Sequence, residues 1–150
     1  MVILKQFCAF AAFLLFISHG NAQVHECTLD IGGKNANNVA DIFQLNEGQK
    51  SQMEELRAEY SIAYKTFEEQ SQKLLDEHPQ STSEELTTLA GKYRALQENI
   101  TAASRAIDEE LLASFNQKQY NLYLSLCHEA FRRPIEVTPV IYDGPPGEKK

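Results

Sequence analysis

Two runs of this chain repeat apolar residues every seven positions, and nothing in the sequence constrains the fold more. In the first run Met53, Tyr60, Phe67 and Leu74 recur, Leu56 and Ala63 fill intermediate positions, and Tyr64 and Leu75 widen the stripe. In the second run Leu86, Tyr93, Ile100 and Ile107 recur, with Leu89, Leu96, Ala103, Ala90 and Leu111 around them. A period near 3.5 places such residues along one face of an α-helix. Pro79 separates the runs, because the residue before a proline is pushed out of the helical region. The spacing predicts helices from Asn46 to His78 and from Ser83 to about Ser114, each about 48 Å long. A connection as short as Pro79–Thr82 folds them back as an antiparallel hairpin. Gly91 is the weak point, costing about 1 kcal/mol relative to alanine.

Each helical run is announced by punctuation. Ser81 with Glu84, or Thr82 with Glu85, supplies a capping box before the second run. The pentapeptides Leu45–Gln49 (LNEGQ) and Phe115–Gln119 (FNQKQ) share an apolar residue, an Asn and a Gln at the same spacing. The side chain of Asn46 or Asn116 can accept from the amides of a first helical turn. Gln49 or Gln119, three residues on, can reach back to the cap amide. Phe115 and Tyr120 also suit a hydrophobic staple. The second copy opens a third helical segment from Asn116 to about Arg132. Its residues Tyr120, Leu122, Tyr123, Leu124, Leu126, Ala130 and Phe131 are apolar on more than one side, so it is expected to be well covered. A short helix is expected over Val39–Leu45.

The expected organisation is a signal peptide at 1–22, an irregular lead-in at 23–38, a helical domain at 39–132 and a loose Pro-rich tail at 133–150. Lys5 precedes the apolar run Phe7–Ile17, which is shorter than the ~20 residues of a membrane span, and Gly20-Asn21-Ala22 offers small residues for cleavage after Ala22. The expected localisation is periplasmic or secreted, with no membrane insertion of the mature chain. The chain carries a formal charge of −7, and loses the cationic Lys5 with the signal. That acidic balance argues against a nucleic-acid partner. Cys8 leaves with the signal, so Cys27 and Cys127 remain as a pair, read as one disulfide of an exported domain; a covalent dimer through these thiols is the alternative.

No phosphate loop, Gly-x-Ser-x-Gly or His-Glu-x-x-His pattern occurs. Glu54-Glu55, Glu68-Glu69, Glu84-Glu85 and Glu109-Glu110 are adjacent, and adjacent residues on a helix do not converge on one substrate. No catalytic residues and no cofactor are assigned. His25, Cys27, Cys127 and His128 form the alternative constellation, a zinc site of two thiolates and two imidazoles. Asn99-Ile100-Thr101 is a glycosylation sequon whose central residue faces the apolar stripe. Tyr60, Tyr64, Phe67 and Tyr93 lie on or beside the stripes. They either pack the hairpin or form an apolar surface for client polypeptides or a second copy of the chain.

The repeated motif, in an exported all-α chain, resembles the Leu-Thr-x-x-Gln motif of the Spy/CpxP family of periplasmic proteins. Asn stands for Thr in both copies here, and Phe115 for Leu in the second. The resemblance covers roughly Ala40–Phe131. It implies a long helical hairpin, often paired into a cradle-shaped dimer, that protects unfolded polypeptides without ATP or senses envelope stress. The expectation is a non-enzymatic, all-α, polypeptide-binding protein. The alternatives are a metal-binding sensor and a structural or self-assembling protein with no client.

Overall fold

In the computed structural model, residues 25–34 and 36–141 are described. The expected signal peptide and the end of the chain after Ile141 lie outside them. The elements run in the order β1 (Glu26–Cys27), α1 (Ala36–Ile42), α2 (Glu47–Glu77), α3 (Ser83–Ala113), α4 (Gln117–Glu129) and β2 (Arg133–Pro134). The fold is all-α, with four helices and one minimal parallel strand pair among the described residues, Glu26 beside Arg133 and Cys27 beside Pro134.

The two heptad runs are α2 and α3, 31 residues each. Asn46 caps α2 and Thr82 caps α3, so of the two boxes available before α3 the Thr82–Glu85 pair is the one used. The Ser81 and Thr82 amides that Glu85 accepts from hold its carboxyl below the ordinary glutamate value. The helix α2 ends at Glu77, two residues before Pro79, with His78 extended between them as the C-cap. The helices lie antiparallel: Ala63, Phe67 and Gln70 share a groove with Ala103, Ile100 and Leu96.

Packing divides this hairpin into a base and an arm. The main core draws on residues 27–56 and 107–135, where Ile31, Leu111, Leu112, Phe115, Cys127 and Ile135 are closed off from solvent. Beyond it the middle and tip of α2 and α3 pack chiefly on each other. Two helices alone cannot cover both stripes, and large apolar side chains there stay partly exposed.

The first helix starts earlier than expected, at Ala36, and stops at Ile42. Its end explains the shift. Gln44 has φ 50°, and Leu45 and Gln44 donate to the carbonyls of Ala40 and Asp41. That is a Schellman motif built on a left-handed non-glycine residue. The helix α4 ends the same way, with Phe131 at φ 53° and amide bonds from Arg132 to Cys127 and from Phe131 to His128.

Two expectations need correction. The segment after Pro134 is not loose as far as it is described. Ile135 is buried, Arg133 N donates to His25 O at 3.0 Å, and Val140 N donates to Phe115 O at 2.8 Å. Prolines exclude helix there, but not an extended strap whose free amides find partners. The lead-in, although irregular, is likewise anchored, by β1 and by buried Ile31. Finally, α4 is covered on one side only: Tyr120, Tyr123 and Cys127 face the core, while Leu122, Leu126 and, just past the helix end, Phe131 (90 % exposed) do not.

Candidate functional site

The base is held by a junction that the repeated pentapeptides build together. Asn46 Oδ1 accepts from Gln49 N (2.9 Å) while Gln49 Oε1 accepts from Asn46 N (3.1 Å). Asn116 and Gln119 repeat this with 2.9 Å in both directions. Both are complete capping boxes. The two glutamines then meet. Gln49 Nε2 donates to Gln119 Oε1 at 2.9 Å, and Gln119 Nε2 donates to Gln49 Oε1 at 3.0 Å. Their remaining amide hydrogens go to the carbonyls of Ser114 (2.8 Å) and Phe43 (3.0 Å). Leu45 and Phe115, the apolar residues of the two motifs, are buried, and Phe115 packs on Phe43 with ring centroids 5.0 Å apart. The motif residues therefore serve as an internal rivet between two helix starts. Every donor on both amides is engaged inside the protein.

A second fastening lies beside it. Cys27 and Cys127 form a disulfide with Cα atoms 5.6 Å apart, closing a separation of 100 residues. Tyr123 Oη donates to Cys27 O (2.6 Å) and accepts from Ile135 N (2.7 Å). Tyr120 Oη donates to Ile135 O (3.1 Å) and accepts from Val137 N (3.2 Å). Burial pushes the Tyr123 hydroxyl above its ordinary pKa, partly offset by the Ile135 amide. Asp108 completes the base. Its carboxylate accepts from Asp30 N (3.0 Å) and Ile31 N (3.1 Å), where Asp30 adopts φ 55°. Burial nevertheless raises its pKa, because these bonds do not fully replace water. No sequence signal marks Asp108, since its partners lie 77 and 78 residues away.

The zinc constellation does not assemble. Both sulfurs are spent in the disulfide, which leaves no thiolate to bind a metal. Among the described residues, no three His, Cys, Asp or Glu side chains gather in a way that could hold an ion.

The arm carries the aromatic residues singled out by the sequence, and the structure brings them together. Ring centroids step from Tyr60 to Tyr64 (6.1 Å), Tyr64 to Phe67 (6.0 Å) and Phe67 across to Tyr93 on α3 (6.4 Å). Tyr60, Phe67 and Tyr93 are half-buried, whereas Tyr64 is 43 % exposed. Tyr60, Tyr64, Phe67, Ser71 and Leu75 follow one another at helical spacings of three and four, as do Leu86, Ala90, Tyr93 and Gln97 on α3. Each set is therefore one stripe, and the stripes meet at Phe67 and Tyr93. Toward the tip they end in Leu75 and Leu86, 43 % and 49 % exposed. Gly32 at the foot of the strip lies flat against the Tyr60 ring, and a Cβ there would collide with it. Burial raises the Tyr60 hydroxyl above its ordinary pKa, with Ser104 beside it working the other way. Nothing on this strip is a nucleophile paired with a base; its chemistry is apolar and aromatic contact.

No helix among the described residues is long and apolar enough to cross a membrane. Comparison with protein-family models, with characterised proteins and with solved structures finds no match to this chain.

Proposed function

We propose that this is an exported, non-enzymatic polypeptide-binding protein, an ATP-independent chaperone or stress protein similar to the Spy/CpxP family, acting in the periplasm or outside the cell. The observation that carries this reading is the partly exposed strip Tyr60, Tyr64, Phe67, Tyr93, Leu75 and Leu86 on an arm that, past Gly32 at the Tyr60 ring, packs chiefly helix on helix among the described residues. Aromatic and Leu side chains at helical spacing give a wide apolar contact without demanding a particular sequence in the partner, and the surrounding charged residues keep the surface hydrated. The rigid base leaves the arm as the part free to engage an unfolded chain.

The test is suppression of aggregation of a reduced, unfolding model protein, followed by light scattering. The wild-type chain at equimolar ratio is expected to delay or abolish scattering. Tyr64→Ser combined with Leu75→Ser and Leu86→Ser is expected to lose most of that effect while keeping the helical circular dichroism. No suppression by the wild-type chain removes the reading. In that case the same strip is left as a contact between copies, which sedimentation of the wild-type and triple variant measures directly.

A further inference from the structure

We infer that two copies of this chain pair through the outer face of α4, antiparallel about a twofold axis, with Phe131 of each copy seated in a groove of the other. On that face Lys118, Leu122, Ser125 and Glu129 follow one another at spacings of four, three and four, all exposed, with Leu126 beside them. This is the spacing of a seam between two packed helices. The charges at its ends are the reverse of what a lone helix favours. Lys118 stands in the first turn, where free amides favour an acid, and Glu129 in the last, where free carbonyls favour a base. Neither has an ion-pair partner in its own chain among the described residues; Glu129 Oε1 accepts only from Ser125 Oγ, at 3.5 Å. Just past the helix, Phe131 is 90 % exposed and holds φ 53°, a region a bulky side chain adopts at a cost.

One arrangement answers all three features. A twofold contact must be self-complementary: where one residue meets a second, the second meets the first. The seam satisfies this about a point between Tyr123 and Leu124. With a second α4 laid antiparallel about that point, Lys118 meets Glu129 of the second copy, Leu122 meets Ser125 and Leu126, and Phe131 arrives at Asn116. The surface there is hollow, an open groove of about 350 Å³ lined by Ile42, Asn116, Lys118 and Leu122 among others. Ile42 and Leu122, 51 % and 40 % exposed, give an entering ring its apolar walls. A parallel pair would set Lys118 against Lys118 and Glu129 against Glu129, so the charges select the antiparallel orientation. The helix α4 is only about 20 Å long, which puts the contact at the small end of specific interfaces and makes it a reversible one. The strip Tyr64, Leu75 and Leu86 lies on the arm, outside this contact, so the pairing does not rest on the polypeptide-binding reading.

The experiment is sedimentation velocity of the full chain across a concentration series. The wild-type chain is expected to pass from one to two copies with a dissociation constant on the order of micromolar. Lys118→Glu alone sets acid against acid across the pair, and Glu129→Lys alone sets base against base. Each is expected to stay monomeric where the wild-type chain pairs. Both substitutions suit the dipole of α4, so loss of the helix does not account for loss of pairing. Mixing the two single variants brings opposite charges together at both contacts and is expected to restore the dimer, as is combining both substitutions in one chain. Phe131→Ser is expected to raise the dissociation constant about tenfold or more with unchanged helical circular dichroism. The arm variant Tyr64→Ser, Leu75→Ser, Leu86→Ser is expected to pair as the wild-type chain does. A wild-type chain that stays monomeric overturns the inference and leaves the groove to the end of the chain or to another protein. Single charge variants that pair normally, or a mixture of them that does not pair, also overturn it. Loss of the dimer in the arm variant alone shows that copies meet through the arm and overturns it as well. Aggregation suppression by monomeric Lys118→Glu, whose arm is intact, decides the polypeptide-binding reading separately.

Discussion

Gln49 and Gln119, 70 residues apart in sequence, face each other amide to amide and exchange two hydrogen bonds. Each also caps its own helix and ties down a carbonyl of the neighbouring segment, Ser114 for one and Phe43 for the other. Such a buried, fully satisfied network fixes register more than it adds net stability, because its cost appears when one member is missing. Gln119→Ala leaves the Asn116 amide, the Phe43 carbonyl and half of Gln49 without partners. It is expected to cost about 1–3 kcal/mol, measured by urea unfolding. Gln49→Ala is expected to cost a similar amount, and the double variant less than the sum, with a coupling of about 0.5–3 kcal/mol. Simple additivity would mean that the two boxes act as independent caps.

The sequence made the caps legible but not the rivet. A capping box is local, three residues wide, and Asn-x-x-Gln announces it from spacing alone. The contact between the boxes depends on how two helix starts are folded against each other, which no local pattern encodes. The same distinction holds elsewhere. Heptad spacing and Pro79 located α2, α3 and the reversal between them. Asp108 reads as one more acid on a charged helix until Asp30 and Ile31 are brought to it. The strap at 133–141 was hidden by its prolines, since its anchoring comes from hydroxyls of Tyr120 and Tyr123 on another element. The aromatic candidates Tyr60, Tyr64, Phe67 and Tyr93 were legible because helical periodicity puts them in line, and Leu86 and Leu75 were visible only as stripe residues.

Tyr123 links three fastenings in one hydroxyl: Cys27 O, Ile135 N and, through Cys27, the disulfide. Tyr123→Phe keeps the ring packing and strands two buried backbone groups, which is expected to cost about 1–3 kcal/mol. Opening the disulfide by Cys27→Ser with Cys127→Ser is expected to cost more, about 2–5 kcal/mol, because it frees a loop of 100 residues in the unfolded chain. Thermal unfolding of both variants checks the order. A larger loss from Tyr123→Phe would show that the strap, not the covalent bond, holds the base.

Asp108 gives a pH dependence of defined sign. Its folded-state pKa lies above the ordinary aspartate value because burial outweighs the amide bonds it accepts. Between the unfolded value, about 3.9, and the raised folded value, the native state holds a proton that the unfolded chain has released. The contribution of this side chain to stability is therefore greatest at low pH and is lost as pH rises through the folded pKa. Asp108→Asn removes that titration. The stability of the wild-type chain minus that of the variant is expected to fall as pH rises from about 3.5 toward neutrality, read from denaturant unfolding at each pH. A difference that grows with pH would mean that the Asp30 and Ile31 amides stabilise the carboxylate more than burial penalises it.

The arm holds two residues that stability alone would not place there. Gly91 is exposed in the middle of α3, and a Cβ added to it would meet nothing within 4 Å. Ser71 is buried on the aromatic stripe, and its Oγ has no hydrogen-bond partner among the described residues. Gly91→Ala removes the backbone freedom that the helix must overcome, and is expected to stabilise by about 0.5–1 kcal/mol. Ser71→Ala removes an unpaired buried hydroxyl while keeping the Cβ, and is expected to be neutral or stabilising by up to about 1 kcal/mol. Thermal melts check both. The base has no comparable slack, since its buried polar side chains Gln49, Asp108 and Gln119 are all engaged. On the proposed polypeptide-binding function, the strip gains from an arm that opens more easily than its foot, and stabilised variants commonly lose function that needs flexibility. Hydrogen exchange in the Gly91→Ala, Ser71→Ala double variant is therefore expected to slow between residues 61 and 106 with no change in the base. Suppression of aggregation is expected to weaken in parallel; stabilisation of the arm with undiminished suppression would show that the strip binds as a rigid surface.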